Sequence, residues 1–216
     1  FNLNTRGDIP AEGKLDVSVV NIAENTDREP VNYVLPPGVT RIVDPGQSQI
    51  TQLNEQSLSM KVEGLEAGDG RGVYRDTQHD LRNYKRLQMF VHAESLIDDP
   101  TNLRSGELSM FIRIGSDVKN NFYEYEIPLQ LTPHGRYNNW LESDREKVWP
   151  NNNFMDLKLQ SLVDLKRERN KAKSQEGSNV GYATLYTARD PENERNRMAV
   201  KGNPSLSDIR VMLVGV

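Results

Sequence analysis

The stretch "FIRIGSDVKNNFYEYEIPLQL", residues 111–131, constrains the fold more than any other part of the chain. On its N-terminal side Leu108, Met110, Ile112 and Ile114 share one face of an extended segment. On its C-terminal side Tyr123, Tyr125, Ile127, Leu129 and Leu131 do the same. A period of two is a strand signature, because successive side chains of a β-strand point to opposite faces. Gly115, Ser116, Asp117, Lys119, Asn120 and Asn121 interrupt the pattern with turn-forming residues. Two patterned strands around such a cluster predict a hairpin, with the cluster as its bend rather than a binding site.

The same alternation recurs in "KLDVSVVNI" (Leu15, Val17, Val19), in "QSLSMKVEGL" (Leu58, Met60, Val62) and in "YKRLQMFVHAE" (Leu87, Met89, Val91, Ala93). "FMDLKL", "VGYATLYTA" and "IRVMLVGV" add further strands, while "AENTDREP", "VLPPGV" and "EAGDGRGVYRDTQHD" read as loops. Pro128 removes a ladder donor and predicts an edge or a bulge. Ser161 with Asp164 resembles a capping box opening one short helix, "LVDLKRERNKAK", that ends near Gly177. The expected fold is therefore mostly β: an antiparallel β-sandwich of jelly-roll type with one short helix. Its expected core contains Leu87, Met89, Val91, Leu108, Met110, Ile112, Tyr125, Ile127 and Leu129. Residues 1–32 are expected to be a leading strand and linker, and residues 33–216 a single sandwich domain, the whole being a piece of a longer protein.

Composition narrows the function classes. The hydrophobic share is 36%, and counting the 15 Gly in place of the 8 Tyr raises it only to about 39%, against the ~45–50% of an average soluble domain. That deficit implies a thin core, long polar loops, or apolar surface supplied by a partner. A net charge of −4 gives no electrostatic footprint for nucleic acid. Without cysteine there is neither a disulfide framework nor thiolate chemistry. No apolar run approaches the ~20 residues of a membrane-spanning helix.

Candidate chemistry is sparse. His79, His92 and His134 lack the i, i+4 helical spacing of a zinc pair, and His92 on the polar side of its strand predicts a solvated or cross-strand role. Asp69, Asp98, Asp99 and Asp117 are loop oxygens that leave a structural calcium open, without the spacing of an EF-hand. Glu124 and Glu126 read as the wet face of a strand. "GDGRGV" lacks the strand-then-helix setting of a phosphate cradle, "KRERNKAK" reads as a solvated basic helix face, and Arg6-Gly7-Asp8 as a chance adhesion tripeptide. Tyr137, Trp140 and Trp149 could line a sugar-binding face, although Trp149 before Pro150 also reads as a core anchor. The residues alone leave three readings: a structural and interaction module, a carbohydrate-binding jelly-roll module, and a hydrolase with a carboxylate pair. No catalytic, cofactor-binding or metal-binding residue is assigned.

Several long phrases in one order, "YVLPPGV", "LNEQSLSMKVEGL", "YKRLQMFVHAE", "GELSMFIRIGSDVKNNFYEYEIPLQLT", "VWPNNN" and "KGNPSLSDIRVMLVGV", resemble the cell-surface SprA family. The resemblance runs over residues 33–216 and is densest over 83–132. It implies part of the outer-membrane translocon of the type IX secretion system, which is needed for gliding in bacteria that glide. In that family a very large β-barrel carries soluble domains inserted between its strands. This chain, lacking the aromatic girdles of a barrel wall, is expected to be one of those modules. The implied partners are other parts of the same barrel protein and secretion-system components, with no small-molecule substrate and no nucleic acid. The implied location is outer-membrane-associated, on the cell surface or the periplasmic side. No enzyme activity is implied.

Overall fold

A computed structural model describes residues 2–4, 13–41 and 55–216. In chain order its strands are β1 (Asn2–Asn4), β2 (Lys14–Asn21), β3 (Gln56–Glu63), β4 (Asp69–His79), β5 (Arg86–Met89), β6 (Ser109–Gly115), β7 (Phe122–Pro128), β8 (Met155–Lys158), β9 (Tyr186–Asp190), β10 (Asn193–Lys201) and β11 (Ile209–Gly215). Helix α1 spans Glu142–Val148 and α2 spans Leu159–Lys173. The chain is thus mostly β with antiparallel sheets. Among the described residues there are two α-helices rather than one, because the seven-residue α1 is a charged surface segment with no apolar periodicity to announce it.

The predicted hairpin at residue 120 forms, and the residues expected on one face pair across it: Met110 opposes Ile127, Ile112 opposes Tyr125 and Ile114 opposes Tyr123. It lies inside a seven-stranded sheet of order β1-β4-β11-β6-β7-β10-β9. One face gathers Met110, Ile112, Ile114, Tyr123, Tyr125, Ile127, Met198 and Val200. These pack with Met155 and Leu157 of β8 and with Leu159, Leu162 and Leu165 of α2. The second layer is thus the β5–β8 ladder, where Leu87 opposes Leu157 and Met89 opposes Met155, together with α2. A large sheet covered on one face in this way fits the expected sandwich. Each aliphatic side chain buried there contributes roughly 1.5–3 kcal/mol. Of the predicted core, Met110, Ile112, Tyr125, Ile127 and Leu129 are buried, and Leu87, Met89, Val91 and Leu108 are half-buried against the same cluster.

Three local expectations change. The loop "EAGDGRGVYRDTQHD" contains β4, an eleven-residue strand held by β11. Its glycines are there for packing: a Cβ on Gly72 would sit 2.8 Å from the Val214 carbonyl oxygen. Strand β10, hidden in the polar run "NERNRMAVK", is central and buries Met198, Ala199 and Val200. Pro128 closes β7 two residues beyond Glu126, the last residue paired with β10, so it is paired with Ser109 of β6 alone. Helix α2 begins at Leu159 without a side-chain cap, so Ser161 lies inside it, and it ends at Lys173, before Gly177.

A smaller second core joins Ile22, Val31, Tyr33, Val34 and Leu35 to Val148 and Trp149. Trp149 donates its indole N–H to the Val34 carbonyl (2.9 Å). Arg145 of α1 donates to the carbonyls of Leu35 (2.8 Å) and Val39 (2.6 Å), and so clamps the proline-rich segment. Strands β2 and β3 form a separate two-stranded ribbon in which Leu15 opposes Val62, Val17 opposes Met60 and Val19 opposes Leu58. Among the described residues no helix is long and apolar enough to cross a membrane.

Candidate functional site

Each polar group singled out by sequence has a definite place. The bend of the β6–β7 hairpin is built around Asp117. Its Oδ1 accepts from the backbone N–H of Lys119 (2.8 Å) and Asn120 (2.5 Å), and its Oδ2 from the Asn121 side-chain amide (3.0 Å). Partial burial opposes ionisation here. The donors from Asn120, Asn121 and Lys119 outweigh it and hold the carboxyl below its ordinary range. Asn121 in turn accepts from Asn203 N–H (3.0 Å). Gly202, at φ +71°, lies so close that a Cβ would meet the Asn120 carbonyl at 2.0 Å. The Asp117 carboxylate is spent on turn donors, and the cluster is a bend.

Asp99 is an analogous turn, accepting from Thr101 Oγ1 (2.6 Å) and from the N–H of Thr101 and Leu103. Among the described residues no three His, Cys, Asp or Glu side chains gather to hold an ion. His134 meets Ser95 (2.9 Å), and His79 ends β4. Of the two roles expected for His92, solvated or cross-strand partner, the structure shows a partnered one. Its Nδ1 lies 2.8 Å from the Val148 carbonyl and its Nε2 3.1 Å from Glu94 Oε2. Its ring stands 5.8 Å from that of Trp149, and Glu94 also pairs with Arg28. His92 is therefore a link between the two cores.

Glu124 and Glu126 differ from expectation more sharply. Because β7 is central, their face is covered by long side chains, and Glu124 is buried. Arg113 lies across the Phe122 ring (4.2 Å) and pairs with Glu124 (2.6 Å). Arg197 pairs with Glu126 and approaches Glu124 at 3.6 Å. Each acid is neutralised by an arginine, so this pair does not form a carboxylate dyad. Beside it opens a shallow polar depression of about 570 Å³ lined by Ser109, Glu126, Arg189, Arg195 and Arg197.

The basic helix is also less solvated than its composition implies. Arg169 is fully buried and donates Nη2–H to the Gly202 carbonyl (2.8 Å), with Tyr182 stacked 4.8 Å away. Lys166 reaches the Pro204 carbonyl (2.7 Å), and burial, then Arg169, pushes its ammonium below the usual lysine value. The spacing Leu162, Leu165, Arg169 would have revealed this, since it continues the apolar stripe. Trp149 is a core anchor and Trp140 is exposed, so the aromatic trio does not share one face. Tyr137 is half-buried with its hydroxyl on the Pro133 carbonyl (2.8 Å). Arg6-Gly7-Asp8 lies outside the described residues.

Sequence reasoning found the apolar residues of the β2–β3 ribbon but missed their setting. Val20 packs on the second core, and Ser57 on the same ribbon face lies 2.9 Å from the Tyr33 hydroxyl. At that end the polar face meets the body, whereas at the other end the apolar Leu15, Met60 and Val62 are half-buried on the side of β4. Between them Val17 (47%), Val19 (55%) and Leu58 (52%) stay exposed on the apolar face. Two paired strands alone are marginal in water, and these three side chains adjoin one another on the ribbon's exposed face.

A family model described as a motility related/secretion protein, SprA_N, matches residues 3–216. No curated protein matches the chain.

Proposed function

The chain belongs to the SprA_N family of motility-related and secretion proteins, and from that premise we propose that it is a non-catalytic docking module of an outer-membrane translocon that exports proteins. The observation that carries this reading is the exposed apolar face of the β2–β3 ribbon. The two acids nearest to resembling a catalytic pair, Glu124 and Glu126, are consumed in ion pairs. The module's exposed resource is shape and apolar surface, which suits assembly better than turnover.

In this reading the jelly-roll-type sandwich is a rigid scaffold held between strands of a large barrel, on the cell surface or the periplasmic side. It contributes to the wall, cap or gate of a protein-conducting channel of the type IX kind, and through export it serves gliding. Its partners are other parts of the same protein and secretion components. Interfaces between such inserted modules are modest as a rule and separate readily, so in this reading the module moves aside for cargo. The experiment is replacement of residues 13–216 by a flexible linker in the full-length protein. Loss of cargo export with the barrel correctly inserted is expected; normal export from an inserted barrel would overturn the proposal.

A further inference from the structure

The root of the ribbon indicates what a docking partner must carry. Arg71 of β4 is 2% exposed. Its Nε donates to the Gly13 carbonyl (2.9 Å) and its Nη1 to the Gly70 carbonyl (3.1 Å), while Nη2 has no partner among the described residues. Both bonds go to neutral oxygens. A guanidinium cannot shed its charge at any physiological pH, and a buried cation without a counter-charge is costly. The other deeply buried arginine, Arg169, likewise leaves its Nη1 without a partner among the described residues, but has the Tyr182 ring stacked against it. Arg71 also borders an open depression of about 430 Å³ lined by Gly13, Leu15, Val17, Val73 and Tyr74. Nη2 itself is buried, and a Cβ on Gly13 would lie 3.3 Å from it, so Gly13 backs that end of the guanidinium closely.

This depression is continuous with the wet apolar face, because Leu15 and Val17 belong to both. The ribbon's own charges sit on the opposite face and pair with each other, Lys14 with Asp16 (2.9 Å) and Lys61 with Glu63 (2.6 Å). Among the described residues, a ligand on the apolar side therefore meets the Arg71 cation and a row of aliphatic side chains. We propose that the depression and ribbon face form one docking groove for an extended protein segment with alternating apolar side chains and a carboxylate. The carboxylate pairs with Arg71, and the apolar side chains cover Val17, Val19 and Leu58. An eight-residue segment matches the ~27 Å length of β2.

This inference rests on the docking reading and names its chemistry. The test uses the 216-residue chain and two fluorescein-labelled octapeptides of alternating threonine and valine, one with a free C-terminal carboxylate and one amidated. Fluorescence anisotropy should show the acid form binding at least ~10-fold more tightly than the amide. The double variant Val17→Lys, Val19→Lys should bind neither peptide, and Arg71→Gln, if its circular dichroism is native, should bind both alike. Equal binding of acid and amide to the unmodified chain would overturn the proposal, whether or not Arg71→Gln folds. So would no binding at millimolar peptide, or self-association of the chain that Val17→Lys abolishes, which would make a second copy the occupant. Failure here leaves the export experiment untouched, whereas normal export after replacement of the module removes the docking reading itself.

Discussion

Removing one oxygen atom from the sheet, in Tyr125→Phe, should destabilise the protein by about 2–4 kcal/mol. The Tyr125 ring belongs to the main core, and its hydroxyl donates to Asp190 Oδ2 (2.6 Å) while accepting from Asn196 Nδ2 (2.8 Å). Asp190 and Asn196 are 2% and 3% exposed, so water cannot replace the lost partner. They sit where the β9–β10 register shifts, between Asn193 and Arg197. The variant loses a hydrogen bond to a charged group, worth ~1.5–3 kcal/mol, and leaves a buried amide donor short of an acceptor, at ~1–3 kcal/mol. Partial relaxation keeps the total below the sum. For a chain of this size the loss corresponds to a fall in Tm of roughly 4–16 °C. Thermal and urea unfolding followed by circular dichroism measure it, with the exposed Tyr84→Phe as a control expected within ±0.5 kcal/mol. A Tyr125→Phe protein as stable as the unmodified chain would refute the claim that this buried polar triad fixes the bulge.

Met110→Ala, in the centre of the main core, should cost ~2–5 kcal/mol by equilibrium denaturation; an unchanged midpoint would move Met110 out of the core. Gly202→Ala should cost more than ~1 kcal/mol, because its φ of +71° and the Asn120 carbonyl both exclude a side chain, and a neutral result would contradict the docking of the hairpin bend on the β10–β11 connection. For Glu94, burial opposes ionisation, yet hydrogen bonds from His92 and Arg28 outweigh it and depress the carboxyl below its ordinary 4.5. A depressed acid stabilises the fold above its unfolded value and loses that contribution as pH falls through the folded one. Urea midpoints should therefore drop more steeply below pH 4.5 in the unmodified chain than in Glu94→Gln; parallel curves would refute the role of this ion pair.

What the sequence made legible was local. The β6–β7 hairpin is adjacent in sequence, alternates cleanly and carries turn residues between its strands, so its pairing could be read directly. Strand β4 could not, because its glycines and charges look like a loop until β11, more than a hundred residues later, supplies its ladder. Strand β10 hid for the same reason. Glu124 was misjudged because alternation shows which face is polar but not whether a neighbouring strand and a flat arginine cover it. The converse error concerns the ribbon: Leu15, Val17 and Val19 were recognised as one apolar face, and nothing in a period of two says that the body would leave that face in solvent. Arg169 was legible in principle from helical spacing, whereas Arg71 was not, since its burial depends on the packing of β4 against the ribbon.

The central claim, that the module works by docking through its ribbon, is tested most directly by cargo export from cells whose full-length protein carries Val17→Lys, Val19→Lys and Leu58→Lys. These positions are exposed within the module, so the fold and the amount of inserted barrel should be unchanged. Lysines buried against an apolar partner should weaken docking at least ~10-fold. The account predicts a marked fall in cargo reaching the cell surface; export at the normal rate, with normal levels of the inserted protein, would contradict it.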